Sequence, residues 1–162
     1  MDKIIIAAIA KNFVIGKNGK MPWHISEEFK HFKRTTMTYP LLMGRKTFFS
    51  FGNGKPLKGR LNCILTRDKG LESPYEEVKI FHEVAEVIKY CENKKYEKLF
   101  IIGGEQIYRQ SLAGCNKMIL SFLKKKYDGD TYFPEIDKNS WEVVEIENHE
   151  EFDVYYYERK LG

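Results

Sequence analysis

The chain is short of the features that mark most specialised classes. Its cysteines are three, Cys63, Cys91 and Cys115, an odd number without metal-ligand spacing. That argues against a disulfide scaffold or a thiolate metal centre and fits free thiols in a reducing cytoplasm. Long apolar runs are missing, since the stretch from Ile4 to Ala10 is too short for a membrane span or the core of a signal peptide. There is no evident repeat, low-complexity tract or interdomain linker. Neither sign of charge dominates, with Lys+Arg 27 against Asp+Glu 23 and a net charge of +4. Such mild basicity suits a small anion as well as nucleic acid and decides little between them. The four histidines have no i, i+4 partner on a helix and no cysteine partner, so no metal site is expected. Ser-His-Asp arrangements and the GxGxxG fingerprint are also missing.

What is present describes one ordinary globular domain over residues 1–162, 43% apolar and 31% charged. Ile4 to Ile9 reads as a strand buried on both faces, as in a largely parallel sheet. Lys11 to Trp23 is a loop with turn glycines Gly16 and Gly19. A helix follows to about Thr36, then a short strand over Leu41–Met43 and a second helix opening at Gly44-Arg45-Lys46-Thr47. A turn is expected at Gly52-Asn53-Gly54, with strands over Leu61–Leu65 and Val78–Phe81. Glu83–Glu92 has helical spacing, Leu99–Ile102 is a buried strand, and Gly103-Gly104 leads into a helix from Glu105. Met118–Leu123 is a further strand. Trp141–Ile146 and Phe152–Glu158 form a C-terminal antiparallel pair without a tight turn. Strands alternating with helices predict an α/β fold with a parallel sheet.

The first helix carries the most informative residue. Pro22 and Ser26 lie near its start, and Glu27 and Glu28 fall in its first turn. At about 100° per residue, Ile25, Phe29 and Phe32 share a face, Glu27 points away from it, and Glu28 lies on its edge. A favourable helix-terminus charge accounts for Glu27. It does not account for a carboxylate leaning toward two phenylalanines, since carboxylates are rarely buried unpartnered. Glu28 is therefore a candidate functional acid.

Two strand-to-helix turns carry anion-binding groups. Gly103-Gly104 follows a buried strand and begins a helix, where free N–H groups and glycine let phosphate approach the backbone. A tight turn without a ligand would look the same. Gly44-Arg45-Lys46-Thr47 superficially resembles the end of a P-loop, but Tyr39 stands where that motif needs a glycine. Arg, Lys and Thr at a helix start still suit a phosphate, as well as a solvated basic turn. Thr66-Arg67 ends a strand, where α/β sheets bind ligands, and Arg60 after Gly59 could clamp a carboxylate. The run Lys124-Lys125-Lys126-Tyr127 reads as a solvated face.

Taken together, the segments Ala7-Ala8-Ile9-Ala10, Val14-Ile15-Gly16, Met21-Pro22-Trp23, Glu28 with Phe32, Met43-Gly44-Arg45-Lys46-Thr47, Leu57-Lys58-Gly59-Arg60, Ile102-Gly103-Gly104 with Ile107-Tyr108, and Gly129-Asp130-Thr131-Tyr132-Phe133-Pro134 resemble dihydrofolate reductases, in family order and across essentially the whole chain. The resemblance implies a dihydrofolate reductase-like single α/β domain. Its sheet would be eight-stranded, mixed and mostly parallel, flanked by helices, with C-terminal antiparallel strands. It also implies NADPH-dependent reduction of 7,8-dihydrofolate to tetrahydrofolate, in the service of one-carbon metabolism. Partners would be dihydrofolate and antifolate-type small molecules, with no nucleic acid, no membrane and a monomeric chain.

By position, the resemblance makes Glu28 the catalytic acid and gives the Trp23 indole N–H a relay water. Ile6, Ala8, Phe29, Phe32, Leu57, Ile102 and Tyr108 should line the substrate pocket. Arg60 should meet the glutamate carboxylate of the folate tail, and Ser121 should support the acid. Gly103-Gly104 should form a cis peptide at the cofactor. The cofactor set comprises Ala8, Ile15, Gly16, Gly19, Lys20, Gly44, Arg45, Lys46, Thr47, Thr66, Arg67, Gly103, Gly104, Glu105, Gln106, Ile107 and Thr131. Within it, Arg45 and Arg67 should face the 2′-phosphate, and the loop from Asn12 to Trp23 should close over the nicotinamide. The chain departs from the family at Ser26, a frequent proline, in the longer Gly52–Lys55 turn, and at Glu105, where a small residue is common. The rival readings are the reductase of riboflavin synthesis, which shares fold and cofactor but needs no acid on the first helix, and a non-catalytic basic nucleic-acid-binding domain, which needs its Lys and Arg clustered on one face.

Overall fold

The computed structural model describes residues 1–161, Gly52 by its backbone alone. Ten strands and four α-helices follow in chain order: β1 Asp2–Ile9, β2 Val14–Gly16, α1 Ser26–Thr36, β3 Leu41–Gly44, α2 Arg45–Gly52, β4 Asn62–Leu65, β5 Val78–Phe81, α3 Val84–Asn93, β6 Lys98–Gly103, α4 Glu105–Ser111, β7 Lys117–Leu123, β8 Thr131–Tyr132, β9 Trp141–Asn148 and β10 Phe152–Arg159. Eight strands form one sheet in the order β5-β4-β3-β6-β1-β7-β10-β9. The pairs from β5 to β7 are parallel, and β10 runs antiparallel to both β7 and β9. β2 and β8 form a separate two-stranded ribbon. No helix among the described residues is long and apolar enough to cross a membrane.

Alternation explains why the central strands are apolar throughout. Ile4 and Ile6 of β1 pack on one side of the sheet with Phe48 of α2 and Phe32 of α1, while Ile5, Ala7 and Ile9 pack on the other with Val87 and Cys91 of α3 and Ile107 and Tyr108 of α4. β6 divides in the same way, Phe100 and Ile102 one way and Leu99 and Ile101 the other. With helices on both faces, neither set can be polar. The continuous apolar runs of the sequence are the direct result.

Two differences from expectation have local causes. The loop after β1 contains β2, whose three residues are held by pairing with β8, over a hundred positions away in the chain. α1 begins at Ser26, near the expected start, with Ile25 as its N-cap and no side chain capping it. The turn expected from Gly52 starts one residue later: α2 runs through Gly52, and Asn53 takes the left-handed conformation with φ of 55°. Asparagine tolerates that conformation better than most residues.

Candidate active site

Parallel α/β sheets bind ligands beyond the carboxyl ends of their strands. Here the ends of β1, β3, β4 and β6 open onto a cavity of about 1090 Å³, walled by α1, α2, α4 and the loop before α1. That is at the upper end of the ~300–1,000 Å³ usual for ligand pockets.

One end is apolar and acid-bearing. Ile6, Ala8, Phe29, Phe32, Ile102 and Tyr108 line it around Glu28. The helical period decides which acid turns inward: Glu28 is 5% exposed, whereas the Glu27 side chain is 67% exposed and pairs with Lys30 at 3.6 Å. Burial among these groups pushes the Glu28 carboxyl up to about 7, against an opposing effect of the Ser121 hydroxyl. Phe29 and Phe32 are only half-buried because they face the cavity.

Two more groups border this end. The Trp23 indole Nε1 is buried and has no hydrogen-bond partner among the described residues, a donor left available beside the cavity that Trp23 lines. The Tyr108 hydroxyl lies 2.8 Å from the Ile6 carbonyl and 2.9 Å from the Ile102 carbonyl, one O–H shared between two acceptors. It thereby joins the ends of β1 and β6. Burial, and secondarily the nearby Glu28 charge, raises the Tyr108 phenol above its ordinary range.

The other end is basic and glycine-rich. Gly44, Arg45, Lys46 and Thr47 at the start of α2 line it beside Gly104, Glu105, Gln106 and Ile107 at the start of α4, and the two turns abut: a Cβ on Gly104 would lie 3.6 Å from Thr47 Oγ1. The Gly103–Gly104 peptide is cis. Gly103 is required on two counts: its φ is +109°, and a Cβ there would lie 2.9 Å from the Tyr108 ring. Farther out, Thr66, Arg67 and His82 line the wall, with His82 Nδ1 2.7 Å from the Thr66 carbonyl. Arg45 pairs with Asp68 at 3.5 Å, and Arg67 has no carboxylate partner among the described residues. Ile15, Gly16, Gly19, Lys20 and Thr131 complete the rim.

Leu57, Arg60, Ser121 and Gly103 are expected at the site but do not line this cavity. Leu57 packs against the core cluster that holds Ile6 and Ile102, Ser121 is buried on β7 beside Glu28, and Gly103 is covered by Tyr108. Arg60 is buried at 7% exposure, its Nη1 donating to Thr36 Oγ1 at 3.0 Å and its Nε to the Lys58 carbonyl at 3.1 Å. Thr36 in turn donates to the Phe32 carbonyl, so Arg60 is fixed to the back of α1. Burial depresses the Arg60 guanidinium from its ordinary value.

Ala7, Met21, Ser50, Phe51, Leu65, His82 and Gln110 line the cavity without having been anticipated. Ala7 and Met21 stand inside the motif segments Ala7–Ala10 and Met21–Trp23 without having been given a role, but His82 and Gln110 carry no local signal. Nor does Asn62, fully buried on β4. It accepts the Leu57 N–H and donates to the Leu57 and Arg60 carbonyls, at 2.9, 3.0 and 2.8 Å. It thus holds the segment that presents Arg60. Replacing Asn62 with Leu strands those backbone groups, and chemical denaturation is expected to show a loss of about 1–3 kcal/mol.

The chain matches the dihydrofolate reductase family over residues 3–160. It is 37% identical over 161 residues to a dihydrofolate reductase of Haloferax volcanii, covering 97% of this chain and 83% of that protein. To the dihydrofolate reductase of Mycoplasma genitalium it is 37% identical over 159 residues, 97% of this chain and 98% of that one. A solved dihydrofolate reductase from Enterococcus faecalis, complexed with NADP(H) and RAB-propyl, superposes with a TM-score of 0.87 at 32% identity, covering 98% of this chain and 96% of the other.

Proposed function

We propose roles for individual side chains of this chain, which belongs to the dihydrofolate reductase family. The enzyme reduces 7,8-dihydrofolate to tetrahydrofolate by hydride transfer from NADPH. The residues present suit that cofactor: one long cavity joins a basic, glycine-flanked end to an apolar end. Arg45, Lys46, Thr47, Thr66 and Arg67 would hold its phosphates, and Ala8, Ile15, Gly104 and Ile107 would flank it. When bound, NADPH supplies the hydride.

The observation that carries the mechanism is a buried carboxyl shifted to about 7 in an apolar pocket. Glu28 accepts a paired hydrogen bond from the pterin amino group and the adjacent ring nitrogen, which fixes the ring's orientation. Reduction also needs a proton on the nitrogen beside the carbon that takes the hydride. Protonated Glu28, poised near neutrality, passes its proton to that nitrogen through a water on the Trp23 indole N–H, is left as the carboxylate that holds the ring, and regains a proton from solvent between turnovers. Ser121 steadies the acid from behind. Phe29, Phe32 and Ile102 exclude bulk water around the ring. Arg60, held against Thr36 of α1, would meet the tail carboxylate of the substrate beyond the cavity. The loop from Asn12 to Trp23 closes over the nicotinamide.

The protein acts as a monomer of one domain in the cytoplasm, on small molecules rather than on nucleic acid or membranes. Its three buried free thiols suit a reducing compartment. The direct test of the function follows NADPH oxidation by the pure protein with 7,8-dihydrofolate. Stoichiometric conversion to tetrahydrofolate is expected, and absence of turnover above background contradicts the reading.

A further inference from the structure

Glu105 stands at the first position of α4, directly after Gly104, and both residues line the cofactor cavity. A carboxylate there is unexpected, because it adds negative charge where an anionic cofactor binds. Its contacts show what it does. Glu105 Oε1 accepts the backbone N–H of Tyr132 at 2.7 Å, across 27 residues of chain. Tyr132 belongs to β8, and β8 pairs with β2, the strand embedded in the loop before α1.

The ribbon itself is tightly built. Asp130 donates its N–H to the Gly16 carbonyl at 3.0 Å, and its carboxylate accepts the Asn18 N–H at 3.0 Å. A Cβ on Gly16 would lie 2.6 Å from Thr131 Oγ1, so β2 and β8 are pressed together at that point. Ile15, Gly16 and Thr131 of the ribbon line the same cavity as Glu105. One carboxylate therefore ties a ribbon of only two and three residues to the turn Gly103–Gly104. So short a ribbon has few ladder bonds of its own to fix its position.

We propose that Glu105 is a positioning residue, a brace that holds the β2–β8 ribbon, and with it the lid over the nicotinamide, against the cofactor-binding turn that opens α4. Its engagement with the Tyr132 N–H also occupies the carboxylate on the ribbon side, which lets an acid be tolerated beside the cofactor's phosphates. The inference rests on the cavity being the NADPH site. Its structural half, the bond to Tyr132, does not.

The test compares Glu105→Ala and Glu105→Gln with the wild-type protein. Glutamine keeps an oxygen that can accept the Tyr132 N–H and removes the charge, whereas alanine removes both. Amide hydrogen exchange in the cofactor-free protein is expected to show Tyr132 unprotected in Glu105→Ala and still protected in Glu105→Gln, with the amides of β3 and β4 unchanged in both. In steady-state assays, KM for NADPH rises severalfold in Glu105→Ala with a smaller change in kcat, and falls in Glu105→Gln. Equal Tyr132 exchange in wild type and Glu105→Ala overturns the brace. So does an equal rise of KM in both variants, since charge rather than acceptance would then be the cause. If the wild-type protein failed to oxidise NADPH, the functional reading would fall, while the exchange result would still decide the brace.

Discussion

Glu28→Gln is expected to lower turnover by about 10²–10⁴-fold, the usual range for a lost general acid. Glu27→Gln is expected to change it little, because that side chain is solvated and paired with Lys30 on the outer face of α1. The opposite ranking would mean that the cavity acid is misassigned. Glutamine cannot titrate, and it presents an amide donor where the pterin amino group needs an acceptor. Both the bound orientation and the proton supply suffer.

The same substitution has a signature in stability. The Glu28 carboxyl is raised from 4.5 to about 7 in the folded protein, so the fold binds its proton more tightly than the unfolded chain does. The stabilisation linked to that proton is complete below pH 4.5 and lost as pH rises through about 7. At 1.36 kcal/mol per unit the loss is about 3 kcal/mol. Denaturation midpoints of the wild-type protein should fall over this window through the Glu28 contribution, and Glu28→Gln should remove that part of the slope. An identical slope in the variant would show that the buried carboxyl is not the titrating group.

The second large effect concerns the choice of cofactor. Arg67→Gln is expected to reduce kcat/KM with NADPH by roughly tenfold to a hundredfold, from the loss of a charge-assisted bond of about 1.5–3 kcal/mol. With NADH, which lacks the 2′-phosphate, the same variant should change little. Arg45→Gln should have a smaller effect in the same direction, because Asp68 already neutralises part of its charge at 3.5 Å. Both guanidinium groups belong to the basic rim, remote from Glu28, so kcat at saturating NADPH should be nearly unchanged. Equal efficiency of the wild-type enzyme with NADH and NADPH would remove this role from both arginines.

Much of this was legible in the sequence, for reasons that differ by element. β1 and β6 were visible because a strand covered on both faces must be apolar at every position. Glu28 was separable from Glu27 because a helix turns a fixed angle per residue, and the structure puts one acid inside and the other out. The glycine pair and the basic turn followed from the chemistry of strand-to-helix junctions. The β2–β8 ribbon was not legible, since each strand is too short to carry a pattern and its partner is distant in the chain. Buried Asn62 was hidden because nothing local distinguishes it from a surface asparagine. His31, buried on α1 and lowered in pKa chiefly by that burial, was equally silent. The position of Arg60 behind α1, outside the main cavity, depends on Thr36 and on the Leu57 segment. No pairwise spacing encodes that.

The proposal that Glu28 supplies the proton is tested most directly by the single-turnover rate of hydride transfer as a function of pH, measured with saturating NADPH and dihydrofolate in wild type and in Glu28→Gln. The rate should be high in acid and fall as pH rises, following one proton with a midpoint near the value of about 7 set by the buried carboxyl. Glu28→Gln should be slow throughout and lack that titration. A wild-type rate that does not vary with pH, or a variant that keeps the same titration, would contradict the assignment of Glu28 as the proton source.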